Sequence, residues 1–277
     1  MSSVDASEAR TDHGRVALVA SDLDGTLLAR PEGRRLGGLS ERTAATLDRM
    51  RARGIDLVAV TGRPPRWTVG LGLGPGLAIC SNGALVLDLG TGEVITEHTL
   101  TPEAGAEVVA RLRALHPDGM MAVEFADGIA MEEAWHGQVP TAVEAWVGPA
   151  HESVARPAAK ILLKVPGTEG DAYIDAATEA VGDLGEVTAS GGLQLVEVSA
   201  RGVTKATTLA ALCEQRGIGA DQVVAFGDAR NDLAMLTWAG TGVAMGDAHP
   251  GVVEVADEVT GTNAEDGVAA WIERHLL

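Results

Sequence analysis

Apolar positions cluster along this chain in two distinct ways. Four uninterrupted runs, at residues 16–20, 57–60, 77–80 and 223–226, have the length of strands and are bounded by turn-forming residues. Their apolar residues do not alternate with polar ones, so each run predicts a strand covered on both faces, as in a parallel sheet flanked by helices. A shorter fifth candidate lies at 242–245. Elsewhere the spacing is helical. Ala44, Leu47 and Met50 recur three apart in a segment opened by Ser40 and closed by Gly54, and Leu209, Leu212 and Cys213 form a stripe within 203–216, followed by Gly217. Serine before the first turn and glycine after the last are the capping residues such helices need. Strand and helix in alternation predict a doubly wound, mainly parallel α/β sheet.

Between the third and fourth runs the pattern changes. Residues 84–193 carry hairpin-like punctuation at 88–92 and 125–128, and helical stretches at 102–115 and 171–181. This predicts an α+β unit inserted into the core, with the core made of residues 15–83 and 194–277. Residues 1–14 are polar, without an apolar segment, and are expected to form a loose tail.

Composition narrows the partners. The 277 residues carry a net charge of -18, which repels nucleic-acid phosphates and anionic membrane and points to a small partner. An anionic ligand would therefore need local positive charge from a metal, a lysine or backbone amides. Two cysteines, Cys80 and Cys213, are too few for a disulfide framework, and no apolar stretch is long enough to cross a membrane. A reducing cytoplasm fits both.

Each of the four strand candidates ends in polar residues: Ser21-Asp22-Leu23-Asp24-Gly25-Thr26, Thr61-Gly62-Arg63, Ser81-Asn82-Gly83 and Gly227-Asp228-Ala229-Arg230-Asn231-Asp232. In a parallel sheet these ends share one edge, where open α/β folds bind ligands. Asp22 and Asp24, two apart, project to one side as the chain leaves the sheet. One carboxylate can attack phosphorus, forming an aspartyl-phosphate, while a second protonates the leaving oxygen and then activates water. Asp228 adds a third carboxylate, and such an oxygen-rich set suits Mg²⁺. Only three of the 21 basic residues are lysine, and Lys205 opens a helix, a position that already favours phosphate.

Taken in order, Asp22-Leu23-Asp24-Gly25-Thr26-Leu27, Thr61-Gly62-Arg63, Lys205 and Gly227-Asp228 with Asn231-Asp232 resemble the haloacid dehalogenase-like superfamily. Asn82-Gly83 and the insertion after it are similar to its Cof-type branch of sugar phosphatases. That resemblance implies Mg²⁺-dependent hydrolysis of a small phosphorylated metabolite such as a sugar phosphate. It makes Asp22 the nucleophile and a metal ligand, and Asp24 the general acid/base whose backbone carbonyl also meets the metal. Asp228 becomes the second carboxylate ligand. Thr61, Gly62 and Lys205 would hold the phosphoryl group, Asn82 and Asn231 would face substrate, and Asp232 would orient the others. A phosphomutase with the same nucleophile, or a module that binds Mg²⁺ and phosphate without turnover, would carry the same residues. Asp247 stands where the family commonly has Asn, and Ala29-Arg30-Pro31 replaces its usual small polar residue.

Several features are expected to be structural. Gly70, Gly72, Gly74 and Gly76 precede a strand instead of following one, so they form a loop and not a dinucleotide-binding turn. Asn263 is expected to start a helix. Seven scattered histidines make no zinc site. Trp135 and Trp146 are expected in the core of the inserted unit, and Lys160 on its surface.

Overall fold

In the computed structural model, which describes residues 16–29, 37–136, 145–190 and 194–277, fourteen strands form two sheets. The first part of the chain gives β1 (Leu18–Ser21), β2 (Asp56–Val60), β3 (Leu77–Cys80), β4 (Leu85–Asp88) and β5 (Val94–Glu97). Then follow β6 (Met120–Phe125), β7 (Gly128–Met131), β8 (Trp146–Val147), β9 (Lys160–Lys164), β10 (Gly185–Ser190) and β11 (Leu195–Ala200). The chain returns with β12 (Val223–Gly227), β13 (Thr241–Ala244) and β14 (Glu258–Val259).

The first sheet has the order β14-β13-β12-β1-β2-β3-β4-β5. Six strands from β14 to β3 run parallel, and β4 and β5 extend the edge antiparallel. The four apolar runs become β1, β2, β3 and β12, every residue of which is buried except Asp56. One face packs with Leu47, Met50, Trp271 and Ile272, the other with Leu209, Leu212, Met235 and Leu236, so helices cover both faces as the unbroken apolar runs require. Helix Glu41–Ala52 starts at Ser40, whose hydroxyl accepts from the Thr43 amide. The weak fifth candidate is β13.

The second sheet, in the order β10-β11-β9-β6-β7-β8, is largely antiparallel. Helices Pro102–Leu115 and Asp171–Val181 cover one of its faces, burying Val108, Leu112, Ile174 and Ala177 against Val123, Ile161 and Val198. The other face carries Glu124, Lys160 and Glu197, which turn toward the first sheet. Sheet membership does not follow the expected division at 84 and 193. The 88–92 turn joins β4 to β5, and that hairpin pairs with β3 of the first sheet, whereas β11 belongs to the second. Hairpin punctuation reads the same in either sheet, because the partner strand is set by long-range pairing.

Two placements differ from expectation. Lys160 is 2% exposed, and Trp146 is more than half exposed, with Phe125 edge-on and the Arg156 guanidinium over both rings. Trp135 is partly buried against Ile129 and Met131. Residues 1–14 and the Arg30-Pro31 departure lie outside the described residues. Among the described residues no helix is long and apolar enough to cross a membrane.

Candidate active site

Strand order fixes where the chemistry gathers. β1 lies at the centre with β12 on one side and β2 on the other, so the chain direction of sheet growth reverses at β1 and a crevice opens beyond its carboxyl end. Asp22 is the first residue past β1, Asp228 the first past β12 and Thr61 the first past β2. Three of the four polar strand ends therefore converge by topology alone, and Ser81-Asn82-Gly83 follows β3 on the same edge.

Oxygen atoms of Asp22, Asp228 and Asp232 lie within 4.8 Å of one another. Lys205, at the first turn of helix Lys205–Gln215 and 1% exposed, reaches into them, its Nζ donating to Asp22 Oδ1 at 2.6 Å and to Asp232 Oδ1 at 2.7 Å. Thr204 caps that helix, its hydroxyl accepting from the Thr207 amide, and so aims the lysine inward. Asp232 Oδ2 accepts from the amides of Asp228 and Ala229 at 3.1 and 3.0 Å. Three donors thus occupy Asp232, which binds the loop and the lysine together.

Burial pushes the Asp22 carboxyl up to about 8; Lys205 works against this, while Asp232 and Asp228 add to it. For Lys205 burial alone would lower the pKa, but Asp22 and Asp232 reverse this and hold the ammonium above its ordinary value. Three carboxylates face one ammonium, so the cluster has a surplus of negative charge and hard oxygen donors. Those features fit a divalent cation of the Mg²⁺ type, with Asp22 and Asp228 as the carboxylates to meet it. Thr26 Oγ1 donates to Asp228 Oδ1 at 3.0 Å and orients it. Gly25, at φ +89°, is required here: a Cβ would lie 2.4 Å from Asp228 Oδ2.

Asp24 stands apart from the cluster and is nearly half exposed at its side chain. Arg63, itself buried, grips it with Nε to Oδ2 at 2.6 Å and Nη2 to Oδ1 at 2.5 Å, a two-pronged contact that fixes the carboxylate plane. Arg63 belongs to a quoted motif, yet nothing in its spacing from Asp24 marks the partnership. The Arg63 amide donates to Thr61 Oγ1 at 3.1 Å, which sets the threonine hydroxyl within the same loop.

Asn82 and its neighbour Ser81 both adopt left-handed backbone, φ +57° and +50°, while almost wholly buried. Strain of this kind concentrates at functional sites. Asn82 Nδ2 donates to Glu197 Oε2 at 2.5 Å and to Thr188 Oγ1 at 2.9 Å, and its Oδ1 accepts from Asn231 Nδ2 at 3.2 Å. Asn231 Oδ1 is buried without a hydrogen-bond partner, as an atom awaiting a donor would be. Sequence reasoning missed Glu124 and Glu197 altogether, since a single glutamate in a strand carries no positional signal.

Asn263, expected to be structural, and Asp247, the departure from the family pattern, both prove close to the site. Asn263 opens the short turn Asn263–Glu265 before helix Gly267–His275, and its Nδ2 donates to the carbonyls of Thr26 and Leu28 at 2.8 and 2.9 Å, holding the loop that carries Gly25. Asp247 Oδ1 accepts from the Asn263 amide at 3.1 Å, so the unusual aspartate serves that same support.

Comparisons with known proteins point to one family. The family model described as haloacid dehalogenase-like hydrolase matches residues 19–272. A Bacillus subtilis protein named 5-amino-6-(5-phospho-D-ribitylamino)uracil phosphatase YcsE is 49% identical over 82 residues, 30% of this chain, so the matched part is about a third (33%) of that relative's length. Pyridoxal phosphate phosphatase YbhA of Escherichia coli is 29% identical over 94% of this chain and 98% of its own. A solved haloacid dehalogenase-like hydrolase from Bacteroides thetaiotaomicron superposes with a TM-score of 0.71, at 28% identity over 94% of this chain and 99% of that one. With the motif residues on one sheet edge and a family match running nearly end to end, the chain belongs to the haloacid dehalogenase-like hydrolases.

Proposed function

We propose that this protein hydrolyses a small phosphorylated metabolite through an aspartyl-phosphate on Asp22, with Mg²⁺ as cofactor. The observation that carries the reading is the Asp22–Lys205–Asp232 array beside Asp228 at the centre of the sheet edge. Lys205 holds Oδ1 of Asp22, which fixes the direction in which the other oxygen faces. An Asp22 oxygen attacks phosphorus, the bond from phosphorus to the ester oxygen breaks, and the Asp24 carboxyl, protonated on an oxygen that Arg63 has released, delivers that proton to the departing oxygen. Asp24 then takes a proton from water as the water attacks the same phosphorus, releasing inorganic phosphate and the Asp22 carboxylate.

Thr61 and Gly62 hold the equatorial phosphoryl oxygens, and Lys205 spreads the developing charge in a site shielded from water. Asp22, Asp228 and the carbonyl of Asp24 would hold Mg²⁺, which when bound neutralises charge on the transferring group. The second sheet with its helices serves as a cap over the crevice, with Asn82 and Asn231 between the two. The relatives' names point to a ribitylamino-uracil phosphate and to pyridoxal phosphate, so the substrate belongs to the same broad class of small phosphate monoesters. Two buried, unpaired cysteines suit work in a reducing cytoplasm.

The test is phosphate release from a panel of sugar phosphates, pyridoxal phosphate and p-nitrophenyl phosphate, with and without Mg²⁺. Expected are Mg²⁺-dependent release and, after acid quench, a phosphate adduct on the peptide carrying Asp22. Transfer of phosphate to a second position of the sugar without release would make the protein a mutase; binding without turnover would make it a module.

A further inference from the structure

A second buried lysine lies outside the cluster around Asp22. Lys160 of β9 sits between Glu124 of β6 and Glu197 of β11, with Nζ 3.2 Å from Glu197 Oε1 and 3.7 Å from Glu124 Oε2; all three residues are under 5% exposed. Burial would lower the Lys160 pKa, yet the two glutamates hold it above the ordinary lysine value, so the ammonium stays charged. Its remaining contact crosses to the first sheet: Nζ donates to the carbonyl of Gly62 at 2.9 Å.

That carbonyl shares one planar peptide with the Arg63 amide, and in a trans peptide the two point in opposite directions. One end is held by a cation, and the other donates to Thr61 Oγ1 at 3.1 Å. A charge at the carbonyl polarises the peptide and strengthens the amide's donation. With an acceptor position of the hydroxyl so occupied, the Thr61 hydrogen is turned outward to donate to another group. Glu197 extends the same connection. Its Oε1 accepts from Lys160 and from Ser190, its Oε2 accepts from Asn82 Nδ2, and Asn82 in turn accepts from Asn231. Gly62 leaves room for this seating, since a Cβ there would come within 3.1 Å of Asn82 Oδ1.

We propose that Lys160 is a positioning residue: by holding the Gly62 carbonyl it sets the Gly62–Arg63 peptide and the Thr61 hydroxyl, so that phosphoryl transfer proceeds only while the second sheet is seated on the first. This rests on the phosphatase reading of Thr61, and it reaches beyond it by giving a residue of the inserted unit a part in the chemical step instead of in substrate choice. A tie that merely joins the two sheets would stabilise the protein without touching that step.

Lys160→Met alone would leave Glu197 buried without a counter-charge and Glu124 with Arg66 alone, and could unfold the protein. The deciding variant is therefore the triple Lys160→Met, Glu124→Gln, Glu197→Gln, which keeps volume and removes all three charges. With p-nitrophenyl phosphate and Mg²⁺, kcat is expected to fall about 10–100-fold while KM changes less than about 3-fold, as for a misplaced catalytic group. Its thermal midpoint should stay within a few degrees of the parent's. Wild-type kcat in the triple variant would overturn the proposal. Exchange of the Arg63 amide hydrogen, measured without ligand, supplies a readout that does not depend on turnover. Exchange should quicken in the triple variant, and unchanged exchange would equally overturn the proposal. A parent protein that releases no phosphate would sink the proposed function, and exchange alone would then decide whether Lys160 holds the loop.

Discussion

Two of the three lysines in this chain are buried, and each lies between two carboxylates: Lys205 between Asp22 and Asp232, Lys160 between Glu124 and Glu197. The first array stands on the parallel sheet, where four separate strand and helix ends meet at one point. The second stands on the open face of the antiparallel sheet, where three neighbouring strands bring their residues together by register. The charges are the same and the surroundings differ. Around Lys205 a third carboxylate, Asp228, leaves negative charge in surplus, whereas around Lys160 the Arg66 guanidinium, 2.9 Å from Glu124 Oε1, restores the balance. An array left in surplus is prepared to receive a cation, and a balanced one is prepared to hold a position.

The largest expected effect comes from the first array. Asp22→Asn should lower turnover by at least about 10³-fold, as loss of a nucleophile does, while keeping the fold, and the phosphate adduct should disappear. Substantial activity in that variant would move the nucleophile elsewhere. Next is Lys205→Met, which leaves Asp22 and Asp232 buried without their cation. Removing one member of a buried pair costs about 3–5 kcal/mol, so urea denaturation should show a loss of that order as well as a large fall in kcat. A fall in kcat without loss of stability would mean the carboxylates had found another partner.

A smaller effect separates Asp24 from both arrays. Arg63→Met frees a carboxylate that the buried guanidinium now fixes, and the acid is needed most where the leaving oxygen is a poor leaving group. The variant should therefore lose about 10-fold or more in single-turnover rate with an alkyl sugar phosphate and markedly less with p-nitrophenyl phosphate. Equal losses on the two substrates would assign Arg63 to folding alone.

How far each array could be read from sequence follows from how it is built. Asp22, Asp228 and Thr61 follow apolar runs within two residues, and parallel topology carries such ends to one edge, so their meeting was legible in the sequence. Lys205 was legible too, because a lone lysine opening a helix stands out among arginines. Glu124, Lys160 and Glu197 gather by strand register in an antiparallel sheet, and register depends on pairings that no local pattern states. A lysine within a strand reads as surface, since a buried lysine is rare until its partners are known. The β4–β5 hairpin was legible as a hairpin, but not as a member of the first sheet, for the same reason.

The gentlest test compares the arrays by their response to pH and metal. In the metal-free protein burial holds the Asp22 carboxyl at about 8, well above the usual carboxylate range. The folded state thus binds a proton that the unfolded state has released. Between the unfolded value near 4 and about 8, stability must fall as pH rises, because deprotonation favours the unfolded chain. The raised pKa of Lys160 does not oppose this trend, since it affects stability only above the ordinary lysine value. Mg²⁺ bound by Asp22 and Asp228 would favour the deprotonated carboxylate and stabilise the fold by linkage. The thermal midpoint without metal should therefore decline from pH 5 to pH 8, and the upward shift on adding Mg²⁺ should be larger at pH 8 than at pH 5. Asp22→Asn removes the titrating group, so it should flatten the metal-free decline and shrink the Mg²⁺ shift at both values, while the triple substitution around Lys160 should leave both trends intact. Equal Mg²⁺ shifts at the two pH values, or a metal-free decline that persists in Asp22→Asn, would show that the surplus charge is not lodged on Asp22.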